Sequence, residues 1–70
     1  MNEIKASIAG NIWMIEVAVG DDVSEDHLIV IMESMKMEIP IHTKKAGKVT
    51  EIKVSEGDFV NEGDVLVIID

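Results

Sequence analysis

The sequence predicts an all-β protein made of two small sheets packed face to face about an approximate two-fold axis. Three observations lead there. The longest apolar runs, "LIVIM" and "VLVII", are five residues each and bounded by turn residues, as core strands are. The mixed segments "IWMIEV" and "VTEIKV" are rich in β-branched residues, which suits strands with one face in solvent. The third and most telling observation is that the chain repeats itself.

Residues 9–33, "AGNIWMIEVAVGDDVSEDHLIVIME", align with residues 46–70, "AGKVTEIKVSEGDFVNEGDVLVIID", at an offset of 37 without a gap. Ten of the 25 positions are identical, including Gly10/Gly47, Gly20/Gly57 and Asp21/Asp58. Each copy opens on a half-buried strand. "VGDDV" and "EGDFV" then read as turns, because glycine reaches positive φ cheaply and aspartate bonds its local backbone. The connections "VSEDHL" and "VNEGDVL" have room for a helical turn at most, and each copy closes on its apolar strand. All five glycines, Gly10, Gly20, Gly47, Gly57 and Gly63, are expected in turns, although Gly63 aligns with Asp26. Neither copy can bury a core alone, so they are expected to pack against each other.

Residues 34–45 are the only part between the copies. "IVIMES" and "MEIPIH" are expected to pair as a hairpin whose turn contains Met35, Lys36 and Met37. The repeat symmetry places this hairpin at one end of the sandwich and the chain ends towards the other. Pro40 lacks an N–H, so its strand is expected to lie on a sheet edge or to finish early. Trp13 aligns with Thr50, is not required by the repeated core, and is expected to be partly exposed.

Composition narrows the function. Seventy residues form one domain of marginal core, burying only about 60% of its unfolded surface, and a deep substrate cleft is not expected. With 14 acidic and 6 basic residues the net charge is −8, which opposes binding to nucleic acid or anionic membrane and favours partners with basic faces. There is no cysteine for disulfide or thiolate chemistry. The start "MNEIKAS" lacks the pattern of a signal peptide, and no apolar run approaches a membrane span, so a cytoplasmic location is expected. His27 and His42 are too few and too separated to suggest a metal site. Nothing implies a homo-oligomer, and a monomer is expected.

Attention therefore falls on "ESMKMEIPIH", with one cation between two methionines at the expected turn. A catalytic lysine needs burial or neighbouring cations to make its amine nucleophilic. Lys36 has neither in sequence; Glu33 and Glu38 are its nearest charges, and no histidine adjoins it as a base. Such an amine makes sense as a target that another protein's active site modifies, with Met35 and Met37 as adaptable apolar contacts for the modifying enzyme. The residues alone leave open a plain solvated lysine between filler methionines.

"ESMKMEIP" is similar to the Glu-Ala-Met-Lys-Met motif of biotinyl domains in biotin-dependent carboxylases, and "VGDDV" and "EGDFVNEGDVLVII" resemble that family's turn-and-strand blocks. In length and organisation the chain most resembles the small biotin/lipoyl attachment proteins of the biotin carboxyl carrier family. The resemblance covers nearly the whole chain. It implies a flattened β-barrel, or barrel-sandwich hybrid, of two four-stranded sheets, with biotin in amide linkage to Lys36. It also implies recognition by a biotin–protein ligase through Glu33, Ser34, Met35, Met37 and Glu38. Service to a biotin carboxylase and a carboxyltransferase follows, with no catalysis by the carrier itself. Ser34 departs from the family's usual alanine, a small-for-small change expected to be tolerated. No segment is long enough for the protruding loop of some bacterial biotin carriers, which implies a freely swinging arm. Lipoate attached to the same lysine by a lipoate ligase is the alternative cofactor, and an unmodified structural module is the reading from another class.

Overall fold

A computed structural model describes residues 2–70. Eight strands follow one another: β1 Asn2–Lys5, β2 Gly10–Ile15, β3 Asp22–Val23, β4 Leu28–Ser34, β5 Met37–His42, β6 Gly47–Ile52, β7 Phe59–Val60 and β8 Val65–Ile69. They form two four-stranded antiparallel sheets, β1-β8-β6-β3 and β5-β4-β2-β7. The connections with room for a helical turn contain plain turns, and no helix is present among the described residues.

Each sheet draws on both copies, so the copies interlock rather than stacking as separate sheets. β3 leaves the first copy to pair with β6, and β7 leaves the second to pair with β2. The Gly-Asp turns carry the chain across. Gly20 N–H donates to the Val49 carbonyl at 2.8 Å, and Gly57 N–H donates to the Ile12 carbonyl at 2.7 Å. Each turn is locked by its own aspartate: Asp21 Oδ2 accepts from Ala18 N–H and Asp58 Oδ2 from Ser55 N–H, both at 2.9 Å. Gly20 and Gly57 hold φ of 97° and 96°, where a Cβ would be strained. The exchange caps two sheet edges with strands of two residues each, too short to template pairing with another chain.

The backbone correspondence runs further than the aligned segments. Ile4↔Val67 and Glu3↔Ile68 on β1–β8 match Ile41↔Val30 and Pro40↔Ile31 on β5–β4, all at an offset of 37. The bulges match as well, Ile12/Met14 in β2 and Val49/Glu51 in β6. β5 is thus the counterpart of β1, and residues 2–33 correspond to residues 39–70. Only residues 34–38, "SMKME", have no described counterpart. The edge strand β5 carries Pro40, as expected.

One core fills the space between the sheets. Ile12, Ile29, Val30, Met32, Val49, Leu66, Val67 and Ile69 are buried almost completely. The isoleucines and valines alternate with outward residues along the half-buried strands, as a two-residue period requires. Thr43 is the one buried polar side chain among the described residues; its hydroxyl donates to the Lys45 carbonyl at 2.7 Å.

Gly10 and Gly47 depart from expectation. They open β2 and β6 and are not turn residues. A Cβ on Gly10 would stand 2.5 Å from the Glu33 carbonyl oxygen and 3.1 Å from Ser34 Cβ. On Gly47 it would meet Ile69 Cγ2 at 2.7 Å and the Asp70 carbonyl oxygen at 3.0 Å. Both are demanded by close backbone approach.

Candidate functional site

The site grows from the β4–β5 ladder. Six register pairs run from Leu28↔His42 to Ser34↔Met37, leaving Met35 and Lys36 as a two-residue turn. Met37 therefore begins β5 and is not part of the turn, a correction of one residue to the expected loop. Both turn residues adopt positive φ, 53° for Met35 and 66° for Lys36. This is the backbone that a two-residue hairpin demands, because its twist matches the twist of the flanking strands. It normally selects Asn-Gly. With Met-Lys, the side chains add strain of about 1–2 kcal/mol per residue, offset by the ladder beneath.

The strain has a geometric result. A longer loop would let the lysine wander, whereas the tight turn places Lys36 at the apex of a rigid arm. Beneath the apex, β2 passes so close to Glu33 and Ser34 that only glycine fits at position 10. Gly10 is the positioning residue that the sequence reading missed. Its signal was its match to Gly47 at the start of a strand, where glycine otherwise weakens pairing. Ser34 packs over this base, half-buried, and its small size suits the narrow space.

All the expected site residues gather here, but they divide by environment. Met35 is 90% exposed and Met37 64% exposed, so neither methionine is core filler. Glu33 and Glu38 face each other across the ladder, both exposed. Neither of them, nor Lys36, makes an ion pair among the described residues. A solvated amine at a rigid apex, flanked by soft apolar side chains, is presented rather than used in place. It can accept an acyl group from an external active site and hold it clear of the protein body. The histidines lie elsewhere: His27 in an exposed turn, and His42 at the end of β5 with Nδ1 2.9 Å from the Asp26 carbonyl oxygen. The cleft of ≈ 520 Å³ between β1 and β5, lined by Lys5, Ile41, His42, Thr43 and Lys44 among others, does not include Lys36.

The hairpin ends far from the chain ends. Gly20, beyond the far end of β2, bonds to Val49, which pairs with Ile69, and Ile69 pairs with Asn2. The length of β2 thus separates Lys36 from the described termini.

Comparison with known proteins places this architecture. The family model described as "Biotin-requiring enzyme" matches residues 1–69. A biotin/lipoyl attachment protein of Bacillus subtilis (strain 168) is 50% identical over 64 residues, covering 91% of this chain and 88% of that protein. The solved structure of the Kluyveromyces lactis urea carboxylase superposes with a TM-score of 0.93 at 33% identity, covering 99% of this chain but only 6% of that one. The lipoyl domain of the 2-oxoglutarate dehydrogenase complex from Azotobacter vinelandii superposes with a TM-score of 0.77 at 25% identity, covering 96% and 95% of the two chains. With its sheets, its two-fold register and its lysine hairpin, the chain belongs to the biotin/lipoyl attachment family.

Proposed function

We propose that the protein is a biotin carrier whose cofactor is joined to Lys36. The observation that carries the reading is the Met35–Lys36 turn, two residues in left-handed conformation that fix an unpaired amine at the apex of a rigid hairpin. The family model's biotin-requiring character and the close superposition on a urea carboxylase support biotin over lipoate. In the loading step a biotin–protein ligase offers biotinyl-adenylate. The Lys36 Nζ–acyl bond forms, the acyl–oxygen bond to AMP breaks, and the amine gives up a proton. Bound biotin supplies a ureido nitrogen that accepts and releases a carboxyl group.

The residues of this chain do the rest. The lysine stem supplies reach, and the ladder and Gly10 supply aim. Met35 and Met37 give enzyme pockets an apolar grip, and Glu33, Ser34 and Glu38 complete the surface that the ligase reads. The protein performs no bond chemistry itself; it raises the effective concentration of the cofactor at a biotin carboxylase and then at a carboxyltransferase.

Intact mass of the protein from its native host tests this, with Lys36→Ala as control. The expected result is a gain of one biotinyl group, absent in the variant. A lipoyl-sized gain would reassign the cofactor, and no gain in cells whose other carriers are modified would overturn the carrier reading.

A further inference from the structure

The two sheets have the same backbone and different outer faces. On the lysine-bearing sheet, Trp13, Met14, Pro40 and Phe59 are exposed, Trp13 at 46% and Phe59 at 63%. The bulge in β2 turns both Trp13 and Met14 outward. At an offset of 37, their counterparts on the other sheet are Thr50, Glu51, Glu3 and Asp22. That second face also neutralises itself, through Lys5–Glu3, Lys48–Asp22 and Lys53–Glu51 pairs at 3.8, 3.9 and 3.0 Å. Among the described residues the lysine-bearing face has no such pairing, and Glu33 and Glu38 make no ion pair beside its apolar centre. Core packing does not require the aromatics, since the matched positions serve the same backbone with polar residues.

We propose that the outer face of β5-β4-β2-β7 is the docking surface for the enzyme that loads Lys36, a partner apolar at the centre of its contact and cationic at the rim. The proposal rests on Lys36 being the acceptor. Charge complementarity sets the rim, because unpaired Glu33 and Glu38 favour lysine or arginine opposite them. Exposed Trp and Phe set the centre, as aromatic anchors do in interfaces. Reach selects the loading enzyme over those that act on the loaded arm. Trp13 sits beside the Met32–Ile31 step of β4, about 10–13 Å along the strand from the turn. The bare amine extends only about 6 Å from its Cα, so an active site that meets it brings its surroundings over the sheet. The biotinylated arm spans eleven bonds to the ring, about 14 Å, and lets later enzymes stand off.

Steady-state biotinylation by the host's biotin–protein ligase, with apo-carrier as varied substrate, tests the surface. The variant Trp13→Thr/Phe59→Asp carries at each position a residue resembling or matching its counterpart, and is expected to raise carrier KM by about tenfold while kcat stays within about twofold. The mirror control, Thr50→Ser/Asp22→Asn, is expected to behave as wild type. Added salt should raise the wild-type KM and have little effect on Glu33→Gln/Glu38→Gln. An unchanged KM in Trp13→Thr/Phe59→Asp would overturn the proposal. Absence of any wild-type biotinylation would instead overturn the acceptor reading.

Should the double variant not fold, fluorotryptophan at the sole tryptophan gives a second readout on the intact sequence. The ¹⁹F signal is expected to shift or broaden when unlabelled ligase is added. No response would overturn the proposal. A shift upon biotinylation alone, or upon concentrating the carrier alone, would overturn it too, giving the face to the cofactor arm or to a second copy.

Discussion

At one end of the molecule, β4 and β5 are joined by the turn of Met35 and Lys36; at the other, the equivalent strands β8 and β1 pair without a turn between them, Asn2 opposite Ile69. The backbone between is duplicated, down to the bulges and the two aspartate-locked Gly-Asp turns. The difference teaches where function was added. The duplicated part makes the fold, and the five residues of "SMKME", with the apolar face below them, make the candidate site. A feature present in both halves is architectural by that fact alone, whereas a feature present in one half asks for another explanation.

Glycine replacement probes this comparison most severely. Gly10→Ala drives a Cβ against the backbone of a closed hairpin and is expected to cost about 3 kcal/mol in urea denaturation. Gly47→Ala meets first a side-chain methyl, Ile69 Cγ2, which yields more readily than a backbone carbonyl, and should cost about 1–2 kcal/mol. Equal losses would show that the hairpin is no stiffer than the open end. At the next scale, Asp21→Ala and Asp58→Ala each remove a matched hydrogen bond to a turn N–H. Each should cost about 1 kcal/mol, and the two should agree closely if the turns are equivalent.

A change of opposite sign is expected at the apex. Lys36→Gly removes the strain of a side chain at φ 66° and should stabilise the protein by about 1 kcal/mol in thermal melts while abolishing modification. Loss of stability there would show that Lys36 contributes contacts in place. The smallest effect would complete the symmetry. Asp64 Oδ2 accepts from Asn61 N–H, but His27 occupies the matching position opposite Ser24. His27→Asp should restore that bond and add about 0.5 kcal/mol, measured by the same melts.

The repeat was legible because its turns use glycine and aspartate for reasons written in the residues themselves. The counterpart relation of β1 and β5 was not, since "NEIK" and "IPIH" share a single isoleucine, Ile4 with Ile41. Edge strands fix only their inward positions, and the outward ones drift. The exchange of β3 and β7 between sheets was hidden as well, because two residues carry no pairing information of their own. At the candidate site, Lys36 and its neighbours stood out from residue types. The left-handed turn did not, for neither Met35 nor Lys36 is a residue that prefers it. The apolar face was the least visible feature: Trp13, Met14 and Phe59 come from two distant segments, and only the sheet order brings them together.

The adjacency of Asn2 and Ile69 sets a load path. Tension applied through sequences attached at the two ends would enter β1 and β8 at neighbouring points and open their hydrogen bonds one pair at a time, like a zipper. The β4–β5 arm, sealed by its own covalent turn and lying off that path, would keep its shape while the far end frays. A domain tugged between larger assemblies in this way would yield first where it is anchored and last at the hairpin proposed to hold its cargo.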